Sequence, residues 1–523
     1  MKKNQSAEIS VDLFVQLFRH MVTAREMDLL EQEYTRQGEA FFHVSGAGHE
    51  ATAVLNTFLI PDDWLHVHYR DKALMLARGV SPDMFFQSLF NKDGSHSRGR
   101  QMNAHMSAPE LNIMSLVGPV GNSPLQAAGV ATVIKDKSTN PIVLCALGDG
   151  MTQQGESLEG FAQAARDLLP MLFLVEDNAF AISTKTRGRT FYSLPDGRAE
   201  SIFGIPIFYM DGRDPVGCHD QFAGIVAQMR SDRRPVVVVF EVDRLQNHTN
   251  ADDQRAYRTP EEIAALWETG DPIANLEKRL VAEEVDASEL KSIVAQIRED
   301  LKATARRVQR GPEPLPVFTA LAPLAKRLSD PSAEYRGSEY TGAEYRGSEY
   351  TGSERNGQER LTMIDAIREV LRAQMARDER IILFGEDIED PKGDVFGVTR
   401  GLTQAYPGRV TNSPLAEASI VGVSVGQALA GKRPVAFLQF ADFLPIAYNQ
   451  IFAELGSMYW RTDGRWQAPV IVMITCGGYK PGLGPFHASS MEAIATHTPG
   501  VDVVMPSTAG DAAGLLNAAF ESG

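Results

Sequence analysis

The chain has 523 residues, 43% hydrophobic and 23% charged, with 51 Lys and Arg against 67 Asp and Glu for a formal net charge of −16. That length suits roughly three domains at about 150 residues each, the composition is ordinary for a globular protein, and the acidic balance argues against nucleic-acid or anionic-membrane partners, which need clustered Lys and Arg. No apolar run approaches a bilayer span, MKKNQSAEIS lacks the apolar core of a secretory signal, and the distant cysteines Cys145, Cys218 and Cys476 imply a reducing cytoplasm with neither a disulfide framework nor a zinc site.

Leu13, Leu17, Met21, Leu29 and Leu30 fall at roughly helical spacing and predict a long opening helix over 11–36. Polar, histidine-bearing stretches follow. HVHYRDKA supplies Tyr69 and Arg70, RGRQMNAHMS supplies Arg100, Gln101 and His105, and GPVGNSPLQAAG begins at Gly118.

The stretch from Ile142 to Thr184 organises the first half. Ile142 to Leu147 reads as a buried strand, Glu156 to Leu168 as a helix and Met171 to Val175 as a second buried strand, a βαβ unit. Gly148-Asp149-Gly150 and Asn178 then fall at the carboxyl ends of adjacent parallel strands, where open α/β sheets bind ligands. Asp149 and Asn178 supply two hard oxygen ligands for magnesium, which leaves its other positions to water, a main-chain carbonyl and phosphates. Gly148 and Gly150 let the backbone approach those phosphates, and the following helix offers its first amides. Arg70 suits a phosphate as a planar cationic fork. Taken singly, Asp-Gly reads equally as a turn, Asn178 as a loop residue and Arg70 as half of a surface salt bridge.

Ile205 to Met210 and Pro235 to Val242 are further strands, and the second runs into a polar loop bearing Arg244, His248, Asp252, Asp253 and Tyr257. Charged helical segments fill 260–310 until GPEPLP breaks them. The decapeptide AEYRGSEYTG then occurs twice in tandem, at 333–342 and 343–352, and this composition builds no core. Residues 329–360 are therefore expected to be a disordered linker between modules 1–328 and 361–523. The second module shows a helix to about Ala376, a strand Ile381–Phe384 ending in Gly-Glu-Asp, an apolar helix opened by Glu417, and strands Pro434–Gln439, Val470–Thr475 and Val503–Met505.

The Ile142–Thr184 stretch resembles the diphosphate-binding motif of thiamine diphosphate enzymes. Its surroundings are similar to the α subunit of the dehydrogenase component of 2-oxo acid dehydrogenase complexes, most like the branched-chain type. The second module resembles the β subunit through PLAE at Pro414, QFAD at Gln439 and FHASSMEA at Phe486. The chain thus looks like an α and a β subunit fused in line. The fold implied is two α/β modules with parallel sheets flanked by helices, with the β-type carboxyl-terminal domain expected to be missing.

The resemblance implies thiamine diphosphate and Mg2+ as cofactors. Tyr69 and Arg70 would contact the diphosphate, Gly118 and Val120 the aminopyrimidine and metal side, and the carbonyl of Phe180 would join Asp149 and Asn178 on the metal. Glu417 would exchange a proton with the pyrimidine ring, Phe443 would lie against that ring, and His105, His248 and His487 would serve the substrate pocket. Beside these stand plainer readings: Glu417 as a helix-capping carboxylate, Phe443 as core, and each histidine as structural. Thr249 sits where animal relatives carry a phosphorylated serine.

The activity implied is oxidative decarboxylation of a 2-oxo acid, branched-chain preferred and pyruvate possible, with acyl transfer to a lipoyl-bearing dihydrolipoamide acyltransferase. A cytoplasmic homodimer is expected. Gln154 and Phe180 depart from the family's usual glutamate and tyrosine, and Glu176 matches the pyruvate type where branched-chain enzymes often place arginine. The competing readings are an acetoin-cleaving or transketolase-like thiamine diphosphate enzyme and a truncated non-catalytic assembly protein.

Overall fold

The computed structural model describes residues 10–316, 361–478 and 481–522. The proposed linker, 329–360, lies outside them. The chain divides into two compact units, one holding residues 10–127 and 134–316, the other holding 361–522 and residues 128–133 from the middle of the helix Ser123–Ile134.

The first unit is built on a six-stranded sheet in the order Trp64–His66, Val143–Gly148, Met171–Asp177, Val236–Glu241, Ile205–Asp211 and Ser201–Ile202. Every pairing is parallel except the last. The central strands read VLCALG, MLFLVED and VVVVFE, near-continuous apolar runs of the kind buried on both faces in a parallel sheet. The expected βαβ unit is present, with Gly155–Arg166 as its helix, and the opening helix runs Val11–Gln37. The charged 260–310 segment forms three helices, Pro260–Thr269, Pro272–Ala282 and Ala287–Gln309.

Register fixes where the site lies. His66 pairs with Cys145, Gly148 with Glu176, and Asp177 with Glu241. Three neighbouring strands therefore end within a residue of level, the fourth ends three residues earlier at His66, and the residues that follow them are brought to one edge: Tyr69 and Arg70, Asp149, Asn178, then Arg244 and His248.

The second unit has a four-stranded parallel sheet in the order Val410–Asn412, Ile381–Gly385, Arg433–Leu438 and Ile471–Ile474. Gly385 pairs with both Asn412 and Phe437, so Glu386, the Ser413–Glu417 stretch and Gln439 leave the sheet at the same end. The helix Glu417–Leu429 is buried over its whole length, which explains its unbroken apolar sequence.

The sequence expectation of a strand over Val503–Met505 is corrected. Those residues pair with no strand among the described residues, and Val504 and Met505 are about half exposed. Three apolar residues closed by Pro506 make too short a run to fix a ladder without a partner edge. They border an apolar cleft of about 740 Å³ beside Ile471–Ile474. The short strands Trp64–His66 and Val410–Asn412 went unread because three residues show no period.

Candidate active site

The Asp149–Met151 turn follows directly on the strand Val143–Gly148, and Asp149 is 3% exposed. Thr186 Oγ1 donates to Asp149 Oδ2 at 2.6 Å and the Gly150 amide donates to Oδ1 at 3.0 Å. Among the described residues this carboxylate forms no ion pair, and burial pushes it up to about 6. A buried carboxylate without a counter-ion is costly, and a cation at this point removes the cost.

The loop after Met171–Asp177 is folded back over that turn. Asp177 Oδ1 accepts from the Ala179 amide at 2.8 Å, Asn178 Oδ1 accepts from the Phe180 amide at 3.2 Å, and the Thr186 amide donates to the Ala179 carbonyl at 3.1 Å. Ala179 and Ile182 have positive φ, 64° and 60°, so the loop turns sharply at both. Phe180–Ala181 pairs antiparallel with Thr184–Lys185. A Cβ on Gly150 would stand 2.7 Å from the Ala181 Cβ, so only glycine admits this approach. The structure thus gathers a carboxylate, a carboxamide oxygen and main-chain carbonyls, hard donors that fit magnesium.

Arg70, 2% exposed, donates from Nη1 to the Ser45 carbonyl and from Nη2 to the His248 carbonyl at 3.1 Å, and Nη2 lies 3.0 Å from His248 Nδ1. Arg70 forms no ion pair among the described residues, which leaves a buried cation at this edge of the sheet. The Tyr69 ring stacks with His105 at 6.5 Å and meets His248 edge-on at 6.3 Å. Tyr69, Arg70, His105 and His248 therefore converge. Burial lowers His105, and burial with the neighbouring Arg70 charge pushes His248 down to about 4, so both imidazoles are neutral at pH 7. Thr249 is half-buried in the same loop.

Gly118 and Val120 lie on an exposed bend. Its neighbour Gly121 is tied to the Asp149 turn, because Ser157 Oγ donates to the carbonyls of both Gly121 and Met151, at 2.9 and 3.0 Å. Gln154 packs its side chain against Gly121. Gly148 faces His68, whose Nε2 would stand 3.1 Å from an added Cβ.

Sequence reasoning named Glu176 only as a marker of type and missed the buried group that it forms beneath this edge. Glu176 is fully buried, its Oε2 lies 2.5 Å from His49 Nδ1 and its Oε1 lies 3.7 Å from His68 Nδ1. Burial pushes Glu176 up to about 8 and holds Asp71, its carboxyl neighbour, well above the usual range, while burial keeps His49 and His68 well below theirs. The alternating histidines of HVHYRD were the available signal.

In the second unit Glu417 is the first residue of its helix and is 9% exposed. Glu386, also unassigned from sequence, is 1% exposed at the end of Ile381–Gly385, and burial together with the Glu417 charge pushes it up to about 7. Gln439 Nε2 donates to the Glu386 carbonyl. Phe443, half-buried, and His487, exposed, meet edge-on at 5.7 Å, and Phe440 contacts both rings. Asp442 Oδ2 accepts from the Ser489 amide at 3.2 Å, which ties the His487 stretch to the Phe443 turn.

These features define an α/β protein with a buried acid and an amide at parallel strand ends in one unit and a helix-opening glutamate in the other. The pattern of the family "Dehydrogenase E1 component" matches residues 18–317, and the chain belongs to that family. "Transketolase, pyrimidine binding domain" matches residues 359–523, so an α-type and a β-type domain stand in one chain. The chain is 43% identical over 160 residues to the 2-oxoisovalerate dehydrogenase subunit beta of Bacillus subtilis (strain 168), covering 30% of this chain and 48% of that protein. It is 28% identical over 273 residues to the 2-oxoisovalerate dehydrogenase subunit alpha 1, mitochondrial, of Arabidopsis thaliana, 52% of this chain and 57% of the relative. With the Homo sapiens pyruvate dehydrogenase E1 component subunit alpha, testis-specific form, mitochondrial, it shares 29% over 331 residues, 61% of this chain and 81% of the relative. The chain thus spans about half the length of the first two of these curated relatives.

Proposed function

We propose that the chain is a thiamine diphosphate-dependent 2-oxo acid dehydrogenase component, with modules 1–328 and 361–523, that decarboxylates a branched-chain 2-oxo acid in preference to pyruvate. It passes the acyl group to the lipoyl arm of a dihydrolipoamide acyltransferase. The observation that carries this reading is Asp149, a buried carboxylate without an ion pair just past the end of one parallel strand, with Asn178 just past the end of the strand paired to it.

Thiamine diphosphate, when bound, supplies the electron sink for decarboxylation. Asp149, the Asn178 side-chain oxygen and the Phe180 carbonyl would hold Mg2+, and Gly148 and Gly150 would admit the diphosphate to the backbone. Arg70 pairs with diphosphate oxygens, oriented by the Tyr69 ring 5.1 Å from its guanidinium carbon. Glu417 would offer its carboxyl group for proton exchange with the pyrimidine ring, and Phe443 would pack on that ring. His105, His248 and His487 would hold the substrate carboxylate and move protons at their ring nitrogens. A cytoplasmic homodimer belongs to the same reading; the three cysteines are free, and among the described residues no helix is long and apolar enough to cross a membrane.

The test is decarboxylation of a panel of 2-oxo acids with Mg2+, thiamine diphosphate and an artificial electron acceptor. Turnover highest with branched-chain acids is the expected result; turnover of acetoin but of no 2-oxo acid would overturn it.

A further inference from the structure

Behind Arg70 lies a buried charge cluster to which the reaction assigns no role. Asp28 and Glu31, on the opening helix, and Lys72, the first residue of the helix Lys72–Arg78, are 2%, 0% and 3% exposed. Lys72 Nζ donates to Asp28 Oδ1 and, at 2.6 Å, to Glu31 Oε1. Ligand atoms of Asp28, Glu31 and His43 lie within 4.8 Å of one another, a spacing that could hold a metal ion. The Lys72 ammonium, bonded to both carboxylates, already supplies the positive charge there.

The other Asp28 oxygen faces a different structure. Oδ2 accepts from Ser45 Oγ at 2.8 Å and from the Gly46 amide at 2.6 Å. The Ser45 carbonyl, held by this pair of bonds, is the acceptor for Arg70 Nη1, and Arg70 Nη2 in turn holds His248. Gly46 packs so closely that an added Cβ would stand 2.6 Å from the Arg70 carbonyl oxygen. The same strip grips the His248 loop directly: the Leu245 amide donates to the Ala47 carbonyl at 3.1 Å, and Asn250 and His43 exchange hydrogen bonds at 3.1 Å.

We propose that Asp28, fixed by Lys72, is a positioning residue. It clamps Ser45 and Gly46 so that the Ser45 carbonyl aims the Arg70 guanidinium and Arg70 holds His248 in place. Arginine has a long side chain whose rotamers must be frozen before it can present a planar fork to an anion, and a preset acceptor does this before the anion arrives. A carboxylate is needed at 28 because one group must satisfy an ammonium on one oxygen and two loop donors on the other, and charge-assisted bonds are the stronger kind. The consequence for cofactor binding rests on the thiamine diphosphate reading above; the clamp on the His248 loop does not.

The test uses the full chain and two measurements. Hydrogen–deuterium exchange of the cofactor-free protein reads the 243–258 segment, and calorimetry reads thiamine diphosphate binding in Mg2+. Asp28→Asn is expected to speed exchange around 245–250 by roughly tenfold and to weaken cofactor binding by a similar factor, the scale of one lost charged hydrogen bond. In an Arg70→Lys background the same substitution should change the Kd less than about twofold, because Asp28 acts through Arg70; a merely structural role would add its full loss there. Should Asp28→Asn fail to fold, Ser45→Ala removes one of the two clamp bonds and carries both measurements. Parent-like exchange and Kd in the folded variant, or fully additive losses with Arg70→Lys, would overturn the proposal. A parent chain that binds no thiamine diphosphate would refute the functional reading, and the exchange result would still decide the clamp.

Discussion

The Thr186 hydroxyl donates to Asp149 Oδ2 at 2.6 Å, joining two residues 37 positions apart. This bond pulls the Asn178–Phe180 loop onto the Asp149 turn and holds one carboxylate oxygen in direction while the other accepts from Gly150. Thr186→Val keeps the side-chain shape and removes the donor. Its expected effect is a loss of roughly 5- to 30-fold in Mg2+-dependent thiamine diphosphate affinity, equivalent to about 1–2 kcal/mol, with little change in melting temperature. Asp149→Ala should abolish Mg2+-dependent binding, since it deletes the one charged protein ligand. Calorimetry with and without Mg2+ checks both, and parent-like binding by Asp149→Ala sinks the metal assignment.

Glu417→Gln should leave folding and cofactor binding intact and slow proton exchange at the thiazolium carbon of the bound cofactor by roughly 10²- to 10⁴-fold, because an amide cannot exchange the proton. Deuterium exchange followed by NMR measures this. An unchanged rate would return Glu417 to the role of a helix-opening carboxylate.

Glu386 predicts a pH dependence of stability. Burial and the neighbouring Glu417 charge raise its folded-state value to about 7, above the ~4.3 of an unfolded glutamate. The folded chain therefore binds the extra proton between these values, and stability falls as pH rises from about 4.3 to about 7, the opposite of a salt-bridged carboxylate. Glu386→Gln should flatten that fall and melt higher than the parent at pH 8. Thermal unfolding of both proteins at pH 5 and pH 8 checks the sign, and a variant that tracks the parent across the range would show that Glu386 is ionised in the fold.

Gly48 has φ +98°, and a Cβ there would stand 1.7 Å from the Asp243 carbonyl oxygen. Gly48→Ala must move backbone on one side or the other, at an expected cost of more than about 2 kcal/mol. Denaturant unfolding reads the loss; Gly224→Ala, inside the helix Pro215–Asp232 with nothing within 4 Å of its added Cβ, is the control expected to gain about 0.5–1 kcal/mol.

The parallel α/β class was legible in the sequence, because VLCALG, MLFLVED and VVVVFE are short apolar runs of the kind a sheet covered on both faces accommodates. The sequence also singled out Asp149 and Asn178 as the donors proposed for a metal. Asp149 and Asn178 each follow a buried strand directly, so chemistry and position are written within a few residues of each other. The strand expected over Val503–Met505 failed because a local run cannot supply its own ladder partner.

Tertiary structure alone decided what lies around those donors. Nothing local joins Arg70 to His248, 178 positions away, or Thr186 to Asp149, or Lys72 to Asp28. Likewise Glu176 became a buried partner of His49 and His68, and Glu386 a neighbour of Glu417, only when the parallel strands paired with one another. The reason is physical: a side chain's ionisation and orientation are set by burial and by the charges packed against it, and both are properties of contacts that the chain makes only once folded.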